Sequence, residues 1–300
     1  MMAQRTIFLL GNCQIRTIAD ALRMLFPDDL VIDISSWDFE DEENTKGATQ
    51  YLRSFDVQIR MPESHCTLKS SQIESMPHQR MIDIPSLVFP AFHPDLVYAQ
   101  RLDGSNFHGV SDYHSAIGLW AWRAGVDLTG ATELFCDEVF AELGYDRYWA
   151  SSVESLREAF DSSDLGFSRA WARLVRIGPF MHSVNHPRPE ALAVLAKSIA
   201  RELGAPPSVF EEPIERYLHD YCESEVWPIY PFVARRLGLA GSWQWRVHEK
   251  NFLSLKEWLV ASYEAYNGTD PEEVRCWRFA DALFDEVLGR RAGLRNDCAR

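Results

Sequence analysis

A short run of β-forming residues ends at Gly11 and passes, with no spacer, into a stretch with helical periodicity. No other stretch constrains the fold as strongly. Thr6, Ile7, Phe8, Leu9 and Leu10 read as a buried strand, and Ile15, Ile18, Ala19, Leu22, Leu25 and Phe26 follow at the i, i+3, i+4, i+7 spacing of an amphipathic helix. A second β-rich run at 30–34 completes a strand–helix–strand unit, and further runs stand at 55–59, 81–84 and 87–89. Such units build parallel sheets, whose ligands bind at the carboxyl ends of the strands.

Beyond His114 the periodicity becomes helical, with stretches at 115–124, 131–143, 153–160, 168–175, 189–203, 211–223, 232–237, 253–266 and 271–288. The expected fold class is α/β: N-terminal βαβ units form a mainly parallel sheet, and a largely helical C-terminal half packs on it. Residues 1–115 carry the Gly-Asn-Cys-Gln turn and 116–300 the helical region, in one compact unit. No repeat, low-complexity tract or Gly/Ser linker separates them. Seven of ten tryptophans fall after Tyr148, which gives the helical half a bulky aromatic core of its own. The acidic run 38–43 reads as a solvated loop, and Arg290, Arg291, Arg295 and Arg300 as a frayed basic tail.

Composition narrows the chemistry. The chain has 300 residues and is 46% hydrophobic, enough for a sizeable core, while 44 acidic against 30 basic residues give a net charge of −14. A charge of that sign repels nucleic acid backbones and anionic lipid surfaces. Six cysteines are scattered with no C-x-x-C pair, so free thiols in a reducing, cytoplasmic setting are expected. Only five residues precede the first glycine after the basic start, too few for a signal-peptide core, and no apolar run reaches membrane-spanning length.

The turn Gly11-Asn12-Cys13-Gln14 is where chemistry is best placed. Cys13 and Gln14 fall at a helix N-terminus, where unpaired backbone N–H groups and the helix dipole stabilise an anion or a thiolate. Cys13 is therefore the candidate nucleophile, and the side chains of Asn12 and Gln14 are candidates to line an oxyanion pocket. The plain alternative is a small cysteine filling the strand–helix junction. The other five cysteines have no comparable context. A G-x-G-x-x-G fingerprint would need glycines at Cys13 and Arg16, and P-loop and G-x-S-x-G motifs are absent. His248-Glu249 begins like a zincin but lacks the second histidine.

Histidines give the second signal. His182-Ser183-Val184-Asn185-His186-Pro187 puts two imidazoles, an amide and a hydroxyl ahead of a helix, which suits a general base with an orienting partner. Asp112 and His114 form a second candidate acid–base pair, and His93 stands in His93-Pro94-Asp95. A metal held by His182, His186 and His93 lacks supporting carboxylate or thiolate spacing, so no metal is assigned.

Together, Gly11-Asn12-Cys13-Gln14, His93-Pro94-Asp95, Asp112-Tyr113-His114-Ser115 and His182 to Pro187 resemble, in order and over nearly the whole length, the WcbI-type polysaccharide biosynthesis proteins. That resemblance implies a cytoplasmic capsule-pathway protein of unusual, compact α/β fold that binds coenzyme A and acetylates a sugar. Acetyl-CoA would then be the co-substrate, and the partners a small-molecule acyl donor and a saccharide acceptor. The catalytic candidates are Cys13, His182, His186 and His114. For the donor, the candidates are Gly11, Asn12, Gln14, Arg16, Asn185 and Arg188. Two routes stay open: acyl transfer through Cys13, or histidine-activated attack of the sugar directly on the thioester. A cysteine-dependent esterase and a non-catalytic glycan-pathway binding protein are the competing classes.

Overall fold

The computed structural model describes residues 4–36, 54–61, 79–247 and 251–294. The acidic run 38–43, Cys66, Cys298, His248-Glu249 and the end of the basic tail fall outside the described residues. The chain divides into two compact units, each made of two stretches: Met1–Val88 with Val153–Glu223, and Phe89–Ser152 with Ser224–Arg300. The expected division at residue 115 falls inside the second unit.

The first unit holds the anticipated parallel sheet. Strands β1 (Thr6–Gly11), β2 (Leu30–Ser35), β3 (Val57–Arg60) and β4 (Arg80–Asp83) pair in the order β2-β1-β3-β4, all parallel. Helix α1 (Gln14–Leu25) makes the crossover from β1 to β2, buries Ile15, Ile18, Ala19, Ala21, Leu22 and Leu25, and packs on the helix Pro189–Glu202. Ile7, Phe8, Leu9 and Leu10 are all buried, as suits a strand covered on both faces. The chain goes from β1 to β2 on one side and later returns to β3 on the other. The carboxyl end of β1 is thus the switch point, where open α/β sheets leave a crevice. Gly11 ends β1 there. A Cβ at this position would stand 2.7 Å from Met61 Cβ and 2.8 Å from Ile15 Cγ2, so only glycine lets the turn pack this closely.

Residues 87–89, expected as a strand, are irregular. The Leu87 N–H donates to Gln14 Oε1 at 3.0 Å and its carbonyl accepts from Gln14 Nε2 at 3.1 Å, so a side-chain amide takes the place of a neighbouring strand. The stretch 211–223 is also not a continuous helix. It contains the short 3-10 turn Ile214–Arg216, followed by turns and irregular backbone. Its polar groups bond locally instead: the Cys222 N–H donates to Asp220 Oδ1 at 3.1 Å, an arrangement that competes with helical pairing.

The second unit combines short antiparallel pairs with helices. The stretch 131–143 is broken into Leu128–Glu133 and Asp137–Glu142, because Cys136 is extended and Phe135 turns inward onto Tyr230 and Trp243. The stretch 271–288 begins as a 3-10 turn and a strand, Val274–Arg275, that pairs with Ala99–Arg101; a second 3-10 turn, Trp277–Ala280, follows, and α-helix starts only at Ala282–Arg291. Val274 is fully buried against Ala99, Phe107, Leu119 and Tyr266, and this packing overrides helical periodicity. Arg290 and Arg291 end that last helix in ion pairs with Glu142, so they are not frayed. Trp227, Trp245 and Trp258 pack on one another as the expected aromatic core.

At the centre of this unit lies Asp95, wholly buried. Oδ1 accepts from Tyr145 Oη at 2.8 Å and from the Ile117 N–H at 3.1 Å; Oδ2 accepts from Tyr230 Oη at 2.8 Å and from Ser115 Oγ. Burial pushes the carboxyl above its ordinary range, while the hydrogen bonds of Ser115, Ile117, Tyr145 and Tyr230 pull it back. Among the described residues, no helix is long and apolar enough to cross a membrane.

Candidate active site around Cys13

Cys13 is the N-cap of α1, partly accessible, with no acidic residue in the first helical turn to compete for the positive end of the helix. Asn12 shapes the turn: its Oδ1 accepts the Gln14 N–H at 2.9 Å, and its Nδ2 donates to Ser86 Oγ at 3.0 Å. Gln14 is completely buried. Besides its two bonds to Leu87, its Nε2 lies 3.2 Å from Ser86 Oγ and 3.0 Å from the Asn185 carbonyl. The glutamine thus ties the start of α1 to two other segments, one of them the loop of the two candidate histidines. Its amide is consumed by these bonds, which corrects the expectation that it lines an oxyanion pocket.

That loop is a tight hairpin. The His182 N–H donates to the His186 carbonyl at 2.7 Å, Arg188 N–H donates to Phe180 O at 2.9 Å, and Met181 bridges to Pro187. The hairpin presents the His186 side chain to Cys13, with which it is hydrogen-bonded. His182 points to a different partner, Asp220, with Nε2 2.7 Å from Oδ2. The other oxygen of Asp220 holds the Cys222 N–H, and the Cys222 thiol is in turn hydrogen-bonded to Cys13. The result is two thiols and two imidazoles around one helix N-terminus.

The Cys13 thiol is lowered from an ordinary value near 9 to about 5. The hydrogen bond from Cys222 is the largest cause, and the hydrogen bond and charge of His186 add to it, together outweighing burial, which acts the other way. Cys222 responds oppositely: its bond to Cys13, burial and the negative charges of Cys13 and Asp220 hold its proton on. The two shifts are opposite in direction, favouring the negative charge on Cys13 and the proton on Cys222.

The remaining candidates are dispersed. Arg16 is exposed, with its guanidinium 5.4 Å over the Tyr221 ring. Arg188 donates to the Pro179 carbonyl at 3.3 Å and pairs with Glu190 at 3.5 Å. Asn185 contributes its carbonyl to Gln14, and its Oδ1 accepts from Ser183 Oγ at 3.4 Å. His114 belongs to the second unit and is wholly buried. Its Nδ1 is 2.6 Å from Tyr266 Oη and its Nε2 2.8 Å from the Phe107 carbonyl; burial lowers it to about 4. With both nitrogens engaged it has the bonding of a structural histidine and no free position for a substrate proton. Asp112 pairs with His108 at 2.6 Å, and His93, buried in the second unit, has its Nε2 3.0 Å from the Trp227 carbonyl. Among the described residues, no group of three or more His, Cys, Asp or Glu side chains is arranged to hold a metal ion.

Cys222 and Asp220 were not anticipated, and the statement that Cys13 alone has a chemical context is corrected. The signal was present in His219-Asp220-Tyr221-Cys222, three chemistry-bearing types in four positions.

Residues 6–208 match the family model described as WcbI, polysaccharide biosynthesis enzyme. No curated protein matches the sequence. Among solved structures the chain is similar to that of WcbI, described as a novel polysaccharide biosynthesis enzyme, in its native form without a disulfide between coenzyme A and one of its cysteines. The TM-score is 0.75 at 16% identity, over 97% of this chain and 99% of that one. A likeness at that identity establishes the α/β fold.

Proposed function

The chain belongs to the WcbI family of polysaccharide biosynthesis enzymes, and from that premise we propose a coenzyme A dependent O-acyltransferase that uses Cys13 as nucleophile and His186 as proton carrier. The observation that carries the reading is the contact of His186 with the Cys13 thiol at a helix N-terminus, where the thiol is pulled below its ordinary range. The coenzyme A named for the similar structure supports a thioester donor.

In this mechanism the Cys13 thiolate attacks the carbonyl carbon of an acyl thioester, and the carbon–sulfur bond to coenzyme A breaks. The departing thiolate takes the proton held by His186. Exchange of one thioester for another is close to neutral in free energy, so the acyl group stays activated on Cys13. A saccharide hydroxyl then gives its proton to His186 and attacks the acyl carbon; the ester forms and Cys13 leaves again as thiolate. The helix N-terminus favours both the resting thiolate and the negative charge that develops on the acyl oxygen. His182 and Asp220 hold the Cys222 turn in place and do not touch the reacting atoms in this scheme. The backbone amides at the start of α1, with Arg16 beside them and Arg188 next to the histidine hairpin, are the proposed holders of the donor phosphates.

Titration calorimetry with coenzyme A tests the donor directly. A saturable heat is expected that is weakened when Arg16 and Arg188 are both replaced by glutamine; absence of heat at millimolar ligand would remove the reading.

A further inference from the structure

The turn carrying Cys222 is fastened to the same helix that carries Cys13. Thr17 Oγ1 donates to the His219 carbonyl at 3.2 Å, Arg16 stacks on Tyr221, and the Tyr221 hydroxyl is hydrogen-bonded to Asp20. Arg16 and Thr17 lie on the first turn of α1 and Asp20 one turn later, and Asp220, anchored by His182, fixes the Cys222 backbone. The Cys222 turn is therefore stitched to the first turn of α1, and the Cys222 thiol is hydrogen-bonded to Cys13, which makes the two sulfurs neighbours, as a disulfide requires.

We propose that Cys13 and Cys222 serve as attacking and resolving thiols toward disulfides of coenzyme A, so that the site exchanges disulfides as well as thioesters. The proposal rests on the coenzyme A reading above and adds to it a second reaction of the same site. First, the Cys13 thiolate attacks one sulfur of the coenzyme A disulfide; that disulfide bond breaks, one coenzyme A leaves as the thiol with the proton held by His186, and a Cys13–coenzyme A mixed disulfide forms. The negative charge that held the proton on Cys222 has now gone, and His186 accepts that proton. Next, the Cys222 thiolate attacks Cys13 Sγ, the Cys13–Cys222 bond forms, and the second coenzyme A leaves, taking the proton from His186. Two protein thiols are oxidised, one disulfide is reduced, and two coenzyme A thiols are released.

The reduced full chain is incubated with the symmetrical disulfide of coenzyme A and, in parallel, with oxidised glutathione, followed by intact mass and peptide mapping. The wild type is expected to lose two hydrogens, to carry a Cys13–Cys222 bond and to keep no adduct. Cys222→Ser is expected to retain one coenzyme A on Cys13, and Cys222→Ala, which adds no polar atom at the buried position, is expected to do the same. A stable adduct on the wild type, or clearance from both Cys222 variants at the wild-type rate, would overturn the resolving step. The calorimetric titration separates the two readings. Heat with coenzyme A alongside a persistent wild-type adduct sinks the resolving thiol alone. No heat, with a rapid Cys13–Cys222 bond from glutathione disulfide, sinks the coenzyme A reading and the specificity proposed here.

Discussion

Replacing Cys13 by alanine is expected to lower acyl-transfer turnover by at least about 10³-fold and to leave the melting temperature close to that of the parent, because in the proposed mechanism the thiol is the nucleophile and its side chain caps nothing. The two effects separate for a structural reason. The turn is held by Asn12 and Gln14, which contribute all the side-chain bonds that lock the start of α1 to Ser86, Leu87 and Asn185. Removing the sulfur takes the acceptor from the Cys222 S–H, a weak donor, but it also removes a negative charge from beside Cys222 and Asp220, so the net cost to stability is small. Turnover of an acyl-CoA thioester with a saccharide acceptor, read beside a thermal melt, checks both halves. His186→Gln should cost about 10²–10⁴-fold in the same assay, the usual weight of general acid–base catalysis. If Cys13→Ala kept turnover within tenfold, the sugar would be attacking the thioester directly and Cys13 would only shape the pocket.

Asp95→Ala is expected to cost at least about 4 kcal/mol of stability. Four donors converge on its two oxygens, and Tyr145 and Tyr230 are both buried beside it. Truncation strands those hydroxyls and the Ile117 N–H away from water, each at roughly 1–3 kcal/mol before relaxation. It also disturbs Ser115, whose Oγ caps the helix Ala116–Arg123 through the Gly118 N–H. Asp95→Asn should cost less, since an amide keeps one acceptor and the hydroxyls can reverse their direction of donation. Urea unfolding of the three proteins checks this order; equal stability of Asp95→Ala and the parent would contradict it.

What the sequence disclosed followed from where its signals are local. The strand, glycine and amphipathic stripe between Thr6 and Phe26 lie in one continuous stretch, so β1, α1, the parallel sheet and the position of Cys13 at a helix N-terminus could all be read. The His182 to Pro187 hairpin was legible for the same reason, although only His186 of its two imidazoles meets Cys13. The hidden parts depend on partners distant in the chain. Leu87 reads as a strand residue, but its hydrogen bonds go to the side chain of Gln14, 73 residues earlier. Residues 211–223 carry helical periodicity, yet Tyr217 and Tyr221, which would line a buried helical face, are exposed. Their turn is fixed instead by Thr17, Arg16 and His182, from other elements. His114 looked catalytic because an aspartate stood two residues away; in the fold that aspartate bonds His108, and a tyrosine 152 residues later takes the imidazole.

The central claim is that this framework makes Cys13 a thiolate. The most direct measurement is the pH dependence of Cys13 alkylation by iodoacetamide, with Cys13 identified by peptide mapping and Cys13→Ala as the blank. A group whose value is lowered to about 5 keeps its reactive form at every pH above that, so the rate should be flat from about pH 6.5 to 9 and fall as pH drops through 5. A rate that climbs steadily from pH 6 to 9 with a midpoint near the free-cysteine value of about 8.5 would contradict the account.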